Sequence, residues 1–167
     1  MLFIAMAKNV KRGNMKKFIV LLVVLFNVIV NSCFATSWVQ VDDKNYIDKD
    51  SIKYHVDNHG NTNYRKKEFW IKVVDDEYYK ELEKVINCKV EYGLLQYIID
   101  YANNTIAAKA GMTYDKDGNP VSKFSYSDLQ LEYNSIAPDS NADLWAKLVR
   151  NPKMLNKIYK MQQKDNN

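Results

Sequence analysis

The chain has 167 residues, of which 47% are hydrophobic and 26% charged, and its formal net charge is +4 at pH 7. Five of its 24 Lys and Arg residues and none of its 20 acidic residues lie before residue 36, so residues 36–167 carry 19 basic against 20 acidic residues. The positive charge therefore belongs to the N-terminal segment. It gives no support for binding nucleic acid or an anionic membrane, and we predict no nucleic-acid partner.

Residues 1–35 have the pattern of an export signal. An apolar stretch of 13 residues, Phe18 to Val30, is interrupted only by Asn27. It follows five basic residues: Lys8, Lys11, Arg12, Lys16 and Lys17. The stretch suits the hydrophobic region of a signal peptide and is shorter than the about 20 residues of a membrane span. We predict a signal peptide that is removed, rather than a buried helix or a retained anchor, with Met15 as an alternative start to Met1.

Two processing routes compete at the end of this segment. In the stretch Cys-Phe-Ala, Cys33 and Ala35 are small residues suited to cleavage after Ala35. In the stretch Val-Asn-Ser-Cys, Cys33 is instead a candidate lipid-attachment residue of a bacterial lipoprotein, although Asn31 is unusual there. We favour cleavage after Ala35. Membrane association is then expected only through the signal peptide or through such a lipid.

Cleavage after Ala35 would leave Cys88 as the only thiol. In an oxidising compartment a single cysteine is buried, capped or paired between molecules. We expect a buried thiol and keep an intermolecular Cys88–Cys88 disulfide as the alternative, which leaves the oligomeric state open. A catalytic thiol is not expected, because no neighbouring residue would activate it.

The mature chain alternates strand-like runs with turn signals. Three stretches combine residues that tolerate a positive φ angle, namely residues 57–61, 102–105 and 115–120. The strand-like runs between them are Trp38–Val41, Ser51–Val56, Tyr64–Val74, Val90–Tyr101, Ile106–Tyr114 and Val121–Tyr126, with a further short edge strand at Leu129–Tyr133. Such closely spaced hairpins favour an antiparallel meander over a parallel sheet. We predict an α+β fold with about five to seven antiparallel strands.

Alternation along two of these runs predicts their buried faces. Phe69, Ile71 and Val73 would face one way, with Glu68, Trp70 and Lys72 opposite. In the run Ile106–Tyr114, Lys109 and Thr113 are predicted to lie on one face. The other face is predicted to carry Ile106, Ala108, Ala110, Met112 and Tyr114.

Helical spacing appears in three places. Acidic residues followed by Tyr79, Leu82, Val85 and Ile86 predict a short helix over about Asp76–Ile86. A second helix should begin near Ser140, where Asp143 completes a pattern like a capping box, and should dock its apolar stripe on the sheet. Pro152 suits the first position of a third piece with its own stripe, which includes Met154 and Leu155. The last six residues are expected to fray.

No motif for catalysis, metal or cofactor stands out. His55 and His59 are the only histidines, and we interpret them as solvent-exposed residues at a strand entering a turn, since zinc needs three or four ligands. The stretch Asp115–Asn119 lacks the spacing of a calcium loop and reads as a hairpin turn. Acidic clusters at residues 42–43, 48–50 and 75–77 are interpreted as turn residues and helix N-terminal charges. A small hydrolase that uses Asp or Glu residues is the alternative to a protein without catalytic activity.

Tyrosine is abundant, and all twelve tyrosines lie beyond residue 45. Their default role is packing in half-buried strands, although Tyr and Trp are also favoured at binding surfaces. We single out Trp70 and Tyr97 as candidate binding aromatics.

The order of several short motifs resembles the surface-adhesin protein E family. These motifs are Ser-Trp-Val-Gln-Val at 37–41, Asn-Tyr-Ile-Asp-Lys-Asp at 45–50, Glu-Phe-Trp-Ile-Lys-Val at 68–73, the stretch from Ile86 to Tyr97, and Ile-Ala-Pro-Asp-Ser from 136. The resemblance covers about Ser37 to Val149. It implies an exported bacterial domain in which an antiparallel sheet packs against a C-terminal helix.

The resemblance also implies a function and a departure from it. It implies a binding protein of the periplasm, cell surface or extracellular space, an adhesin whose protein ligands include host extracellular-matrix and plasma proteins. Family members commonly pair a cysteine near the end of the C-terminal helix with the one that matches Cys88, but Arg150 stands at that position here. We therefore expect a signal peptide at 1–35, a protein E-like domain at 36–150 and a short C-terminal helix with a tail at 151–167. A lipid-anchored or dimeric structural component of the envelope is a further alternative.

Overall fold

The computed structural model describes residues 37–165, so the predictions for the signal peptide and Cys33 lie outside the described residues. Among the described residues there are three α-helices: α1 (Asp76–Ile86), α2 (Asn141–Arg150) and α3 (Pro152–Asp165). The eight strands are β1 (Trp38–Gln40), β2 (Asn45–Asp48), β3 (Lys53–Val56), β4 (Thr62–Val73), β5 (Tyr92–Asp100), β6 (Thr105–Tyr114), β7 (Pro120–Ser125) and β8 (Asn134–Ser135).

All strand pairs in the sheet are antiparallel, which confirms the predicted α+β class and the meander. The main path is β1-β2-β4-β5-β6-β7, while β3 pairs with β4 and the two-residue β8 pairs with β6. The sequence analysis did not predict β2, which is only four residues long. The predicted edge strand Leu129–Tyr133 is wrong, because the chain there begins with a 3-10 turn over Asp128–Gln130.

Two hairpin turns are built in the same way. Asp57 Oδ1 accepts hydrogen bonds from the backbone N–H groups of His59 and Asn61, and Asp115 Oδ1 accepts those of Asp117 and Asn119. A glycine with a φ angle near +80° follows each aspartate by three residues. The turn prediction for residues 115–119 is therefore confirmed, and the carboxylate there holds the backbone of its own loop.

The core lies on one face of the sheet. Phe69, Ile71 and Val73 of β4 are at most 4% exposed and belong to the core cluster, as predicted from their alternation. Helix α2 covers this face with Trp145, Leu148 and Val149, and the ring of Trp145 lies 5.6 Å from that of Tyr97. Burial of this apolar surface supplies the main driving force for folding.

Helices α1 and α2 each begin at a residue whose side chain caps the helix. The Asp75 side chain accepts from Glu77 N at the start of α1, and Asn87 ends this helix in the left-handed region with a φ angle of 50°. At the start of α2, Ser140 Oγ accepts from Asp143 N, while the Asp143 carboxylate accepts from Asp139 N. In a capping box the Asp143 carboxylate would accept from the backbone N–H of Ser140. Here it accepts from Asp139, one residue earlier.

The predicted apolar stripes of α1 and α3 face the core, except for one exposed residue at the edge of each stripe. In α1 Tyr79 is buried, but Val85 is 83% exposed. In α3 Leu155 is fully buried, whereas Met154 is 50% exposed. Helix α3 continues to Asp165, beyond the point where fraying was expected, and Gln162 donates to the backbone oxygen of Gln40 in β1. Within residues 37–165, every helix is too short or too polar to cross a bilayer.

Candidate functional site

The two candidate aromatics lie on opposite faces of the sheet. Tyr97 pairs in register with Phe69 on the core face, and Trp70 pairs with Gln96 on the other face. The Tyr97 ring is stacked 6.1 Å from Phe69, so it mainly packs the core. Trp70 is half-buried and lies outside the core cluster. The two residues therefore do not share one binding surface.

Trp70 belongs to a group of half-buried side chains on the face that the helices leave uncovered. We call this group the open face, and its members are Trp70, Lys72, Tyr92, Leu94, Met112 and Tyr114. None of the six packs against the core cluster. The rings of Tyr92 and Tyr114 are stacked at 4.8 Å, and Lys72 Nζ lies 4.5 Å from the Tyr92 centroid. These contacts join Lys72, Tyr92 and Tyr114, and the strand register places Trp70 on the same face of the sheet.

A bulge in β6 decides which residues join the open face. Gln96 pairs with Ala110 and Tyr97 pairs with Ala108, so Lys109 is an extra residue without a partner on β5. The alternation is therefore shifted after Lys109. Ile106 remains in the core, but Met112 pairs with Leu94 on the open face. The prediction that Ile106, Ala108, Ala110, Met112 and Tyr114 share one face is wrong for this reason.

A buried polar cluster adjoins the open face, and we call it the Glu68 cluster. Glu68 Oε1 lies 2.6 Å from both His55 Nδ1 and Lys109 Nζ, and Glu68 Oε2 accepts from Gln96 Nε2 at 2.9 Å. His55 is only 4% exposed, so the prediction of a solvated turn histidine is wrong. Its ring lies between Glu68 and Asp128, whose Oδ2 is 3.6 Å from His55 Nε2. His59 lies in the turn and is exposed, as expected.

Both carboxylate oxygens of Glu68 have hydrogen-bond partners, whereas Asp128 Oδ2 is buried with none among the described residues. Burial favours the neutral carboxylic acid, but hydrogen bonds from Lys109 and His55 outweigh it and lower the pKa of Glu68. A carboxylate held ionised in this way is a poor proton donor. Its partners come from β3, β5 and β6, so the cluster joins these strands to β4.

The acidic clusters predicted as turn and helix-end residues take those roles. Asp42 Oδ1 accepts from Lys44 N, and Asp48 Oδ1 accepts from Asp50 N at the start of a 3-10 turn. Asp75 caps α1 and also pairs with Lys44 at 2.8 Å. Within residues 37–165 no group of three His, Cys, Asp or Glu side chains is arranged to hold a metal ion.

Cys88 follows the end of α1 and is half-buried rather than buried, so the first expectation for this thiol is wrong. Its Sγ–H donates a weak hydrogen bond to the backbone oxygen of Lys89 at 3.6 Å. The side chain is partly accessible for cross-linking, and the intermolecular disulfide stays a prediction. Arg150, at the position where the family has its second cysteine, lies over the ring of Tyr101 instead.

A depression at one end of the sheet is lined by basic and tyrosine side chains. It has a volume of about 560 Å³, and its lining includes Tyr54, Tyr64, Arg65, Lys67, Tyr101 and Arg150, a set that we call the tyrosine–arginine depression. The sequence analysis missed it, because its residues come from β3, β4, the end of β5 and the end of α2. Only the abundance of tyrosine pointed toward it.

Comparison with known proteins gives a match in structure. No family model and no curated protein matches the chain. Crystal form II of protein E from Haemophilus influenzae is 19% identical with a TM-score of 0.44, over 70% of this chain and 88% of that one. The crystal structure of protein E from non-typeable Haemophilus influenzae is 17% identical with a TM-score of 0.45, over 77% and 91%. Both are structures of protein E, which gives its name to the family that the sequence resembles.

Proposed function

We propose that the mature chain is an exported protein without catalytic activity that binds a protein ligand at the bacterial cell envelope through the open face. The observation that carries the proposal is the group of half-buried aromatic side chains, Trp70, Tyr92 and Tyr114, on the sheet face outside the core cluster. Aromatic side chains are enriched at protein interfaces because they add large contact area with few rotatable bonds. The sequence resemblance supports the same function, with host matrix or plasma proteins as the class of ligand.

The Glu68 cluster supports a scaffold role rather than hydrolysis. Glu68 and His55 are each at least nine-tenths buried, and Glu68 is bound by three side chains. A general acid needs a raised pKa, and the Glu68 pKa is lowered. The cluster would instead hold the strands that carry the open face in a fixed register.

Binding is tested with residues 36–167 against an immobilised panel of host extracellular-matrix and plasma proteins. For any ligand that binds, Trp70→Ala and Tyr92→Ala should each weaken binding at least about tenfold, as at interface residues that dominate affinity. Leu129→Ala is the matched control, because this apolar side chain is 95% exposed and lies outside the open face. Equal binding by all variants, or no ligand across the panel, would contradict the proposal.

Export is tested by the intact mass of the protein isolated from its native cell envelope. Cleavage after Ala35 leaves Thr36 as the first residue, whereas lipoprotein processing leaves an acylated Cys33. We expect the mass that begins at Thr36. Export by either route would be excluded if most of the protein were found in the cytosol with a mass that still includes residues 1–35.

A further inference from the structure

The tyrosine–arginine depression depends on an irregularity in β4. Tyr54 of β3 pairs with Lys67, but the next residue, His55, pairs with Asn63. Tyr64, Arg65 and Lys66 therefore have no partners on β3 and bulge from the ladder. Tyr64 is 75% exposed as a result, with its ring edge-on to Tyr54 at 5.2 Å. Bulges of this kind redirect side chains from the regular face of a sheet.

Three cations converge on the depression without acidic partners. Arg65 comes from the bulge, Lys67 from the regular part of β4, and Arg150 from the last turn of α2. In the part of the chain that the structure describes, no carboxylate forms an ion pair with any of the three. By contrast, the adjacent Lys66 pairs with Asp100 at 3.5 Å.

Two of the three cations, Lys67 and Arg150, contact neutral groups. Lys67 Nζ donates to the backbone oxygen of Val149 at 3.0 Å, at the C-terminal end of α2. The guanidinium of Arg150 lies 4.6 Å from the Tyr101 centroid, and Lys67 Nζ lies 5.6 Å from that of Tyr54. Burial and the positive charge of Arg150 lower the pKa of Lys67, which is the direction expected where like charges face each other. An incoming anion would relieve this repulsion.

We propose that the tyrosine–arginine depression binds an acidic segment of a protein partner. Carboxylates of the segment would pair with Arg65, Lys67 and Arg150, since arginine matches the geometry of a carboxylate with two parallel hydrogen bonds. The rings of Tyr54, Tyr64 and Tyr101 would supply contact area for the rest of the segment. This site is separate from the open face, so the inference does not depend on the binding function proposed for that face.

Size and surrounding charge favour a short acidic segment over other anions. The depression is a broad, open surface rather than an enclosed cavity, so its volume of about 560 Å³ leaves room for more than one small anion. A long polyanion such as nucleic acid gains affinity from many cations along its path. Residues 36–167 carry 20 acidic against 19 basic residues, so the domain as a whole has no excess of cations for such a polyanion.

The test uses a fluorescein-labelled peptide of Asp, Glu and Tyr residues, and its Asn/Gln counterpart as the neutral control. Fluorescence anisotropy at low salt should show binding of the acidic peptide only, weakening steeply as ionic strength rises. Arg65→Gln and Arg150→Gln should each lower the affinity about tenfold, as expected for loss of a charge-assisted hydrogen bond. Arg150→Lys should restore part of the loss.

Lys116→Gln is the charge-matched control, because Lys116 is exposed in the β6–β7 turn. Urea midpoints equal to that of the unmutated protein would show that the arginine variants are folded. Trp70→Ala should leave peptide binding unchanged, so failure of the open-face function is distinguishable from failure here. The proposal is overturned if both peptides bind alike, if Lys116→Gln weakens binding as much as the arginine variants do, or if only a sulfated polysaccharide such as heparin binds.

Discussion

Lys109 Nζ lies 2.6 Å from Glu68 Oε1, although β6, which carries Lys109, is not adjacent to β4, which carries Glu68. The bulge at Lys109 gives this side chain its position, and the long lysine stem spans β5 to reach the carboxylate. Because His55 of β3 contacts the same oxygen, the Glu68 carboxylate connects strands that lie on either side of β4. The Glu68 cluster should therefore contribute to both stability and strand register.

Glu68→Gln should destabilise the protein by about 3 kcal/mol, because it removes the buried carboxylate that accepts from Lys109 Nζ and lies 2.6 Å from His55 Nδ1. Urea unfolding followed by circular dichroism measures the change. Glu77→Gln is the control, since Glu77 is 75% exposed and should change stability by less than about 0.5 kcal/mol. Equal effects of the two substitutions would show that the cluster contributes nothing specific.

The stability contribution of Glu68 should depend on pH. Its pKa in the folded protein is lowered from the ordinary value of 4.5, so the unfolded chain takes up this proton at higher pH than the folded chain does. The contribution is therefore complete above pH 4.5 and is lost as the pH falls through the lowered value. The difference in unfolding free energy between the unmutated protein and Glu68→Gln should shrink over this range. A difference that stays constant with pH would exclude the ionised form as its source.

Gly93→Ala should destabilise the protein by about 1–3 kcal/mol, because a methyl group at this position would overlap the Tyr79 hydroxyl. Tyr79 is 2% exposed and has little room to move. In the double variant with Tyr79→Phe, the nearest overlapping atom is gone, so the combined loss should be smaller than the sum of the two single losses. Thermal unfolding of the four proteins measures this coupling, and strict additivity would argue against the contact.

Leu155→Ala should cost about 2–5 kcal/mol, because this side chain of α3 is fully buried in the core cluster. Met154→Ala, one residue earlier and 50% exposed, is the matched control and should cost much less. Denaturant midpoints of the two variants give the comparison. If Leu155→Ala proves as mild as its neighbour, α3 is an appendage of the domain rather than part of it.

The sequence predicted the elements whose signals are local. Helix α1 was predicted at its observed bounds because acids at its start and apolar spacing coincide, and the turn at Asp115 follows from its own residues. The Glu68 cluster was not predictable, because its partners lie up to 41 residues from Glu68 and one of them depends on the bulge at Lys109. No pattern along β6 indicates that bulge, so the face of Met112 was predicted wrongly. The burial of His55 was missed because the folded chain brings its partners, Glu68 and Asp128, to it.

The bond from Gln162 to Gln40 places the end of the last helix beside the first strand, and Trp38 and Asp165 line the same shallow depression. The two ends of the described chain are therefore neighbours. A circular permutant that links Ser37 to Asp165 through a short flexible spacer, with new termini opened in the turn at Asp117, should keep the same core and both binding surfaces.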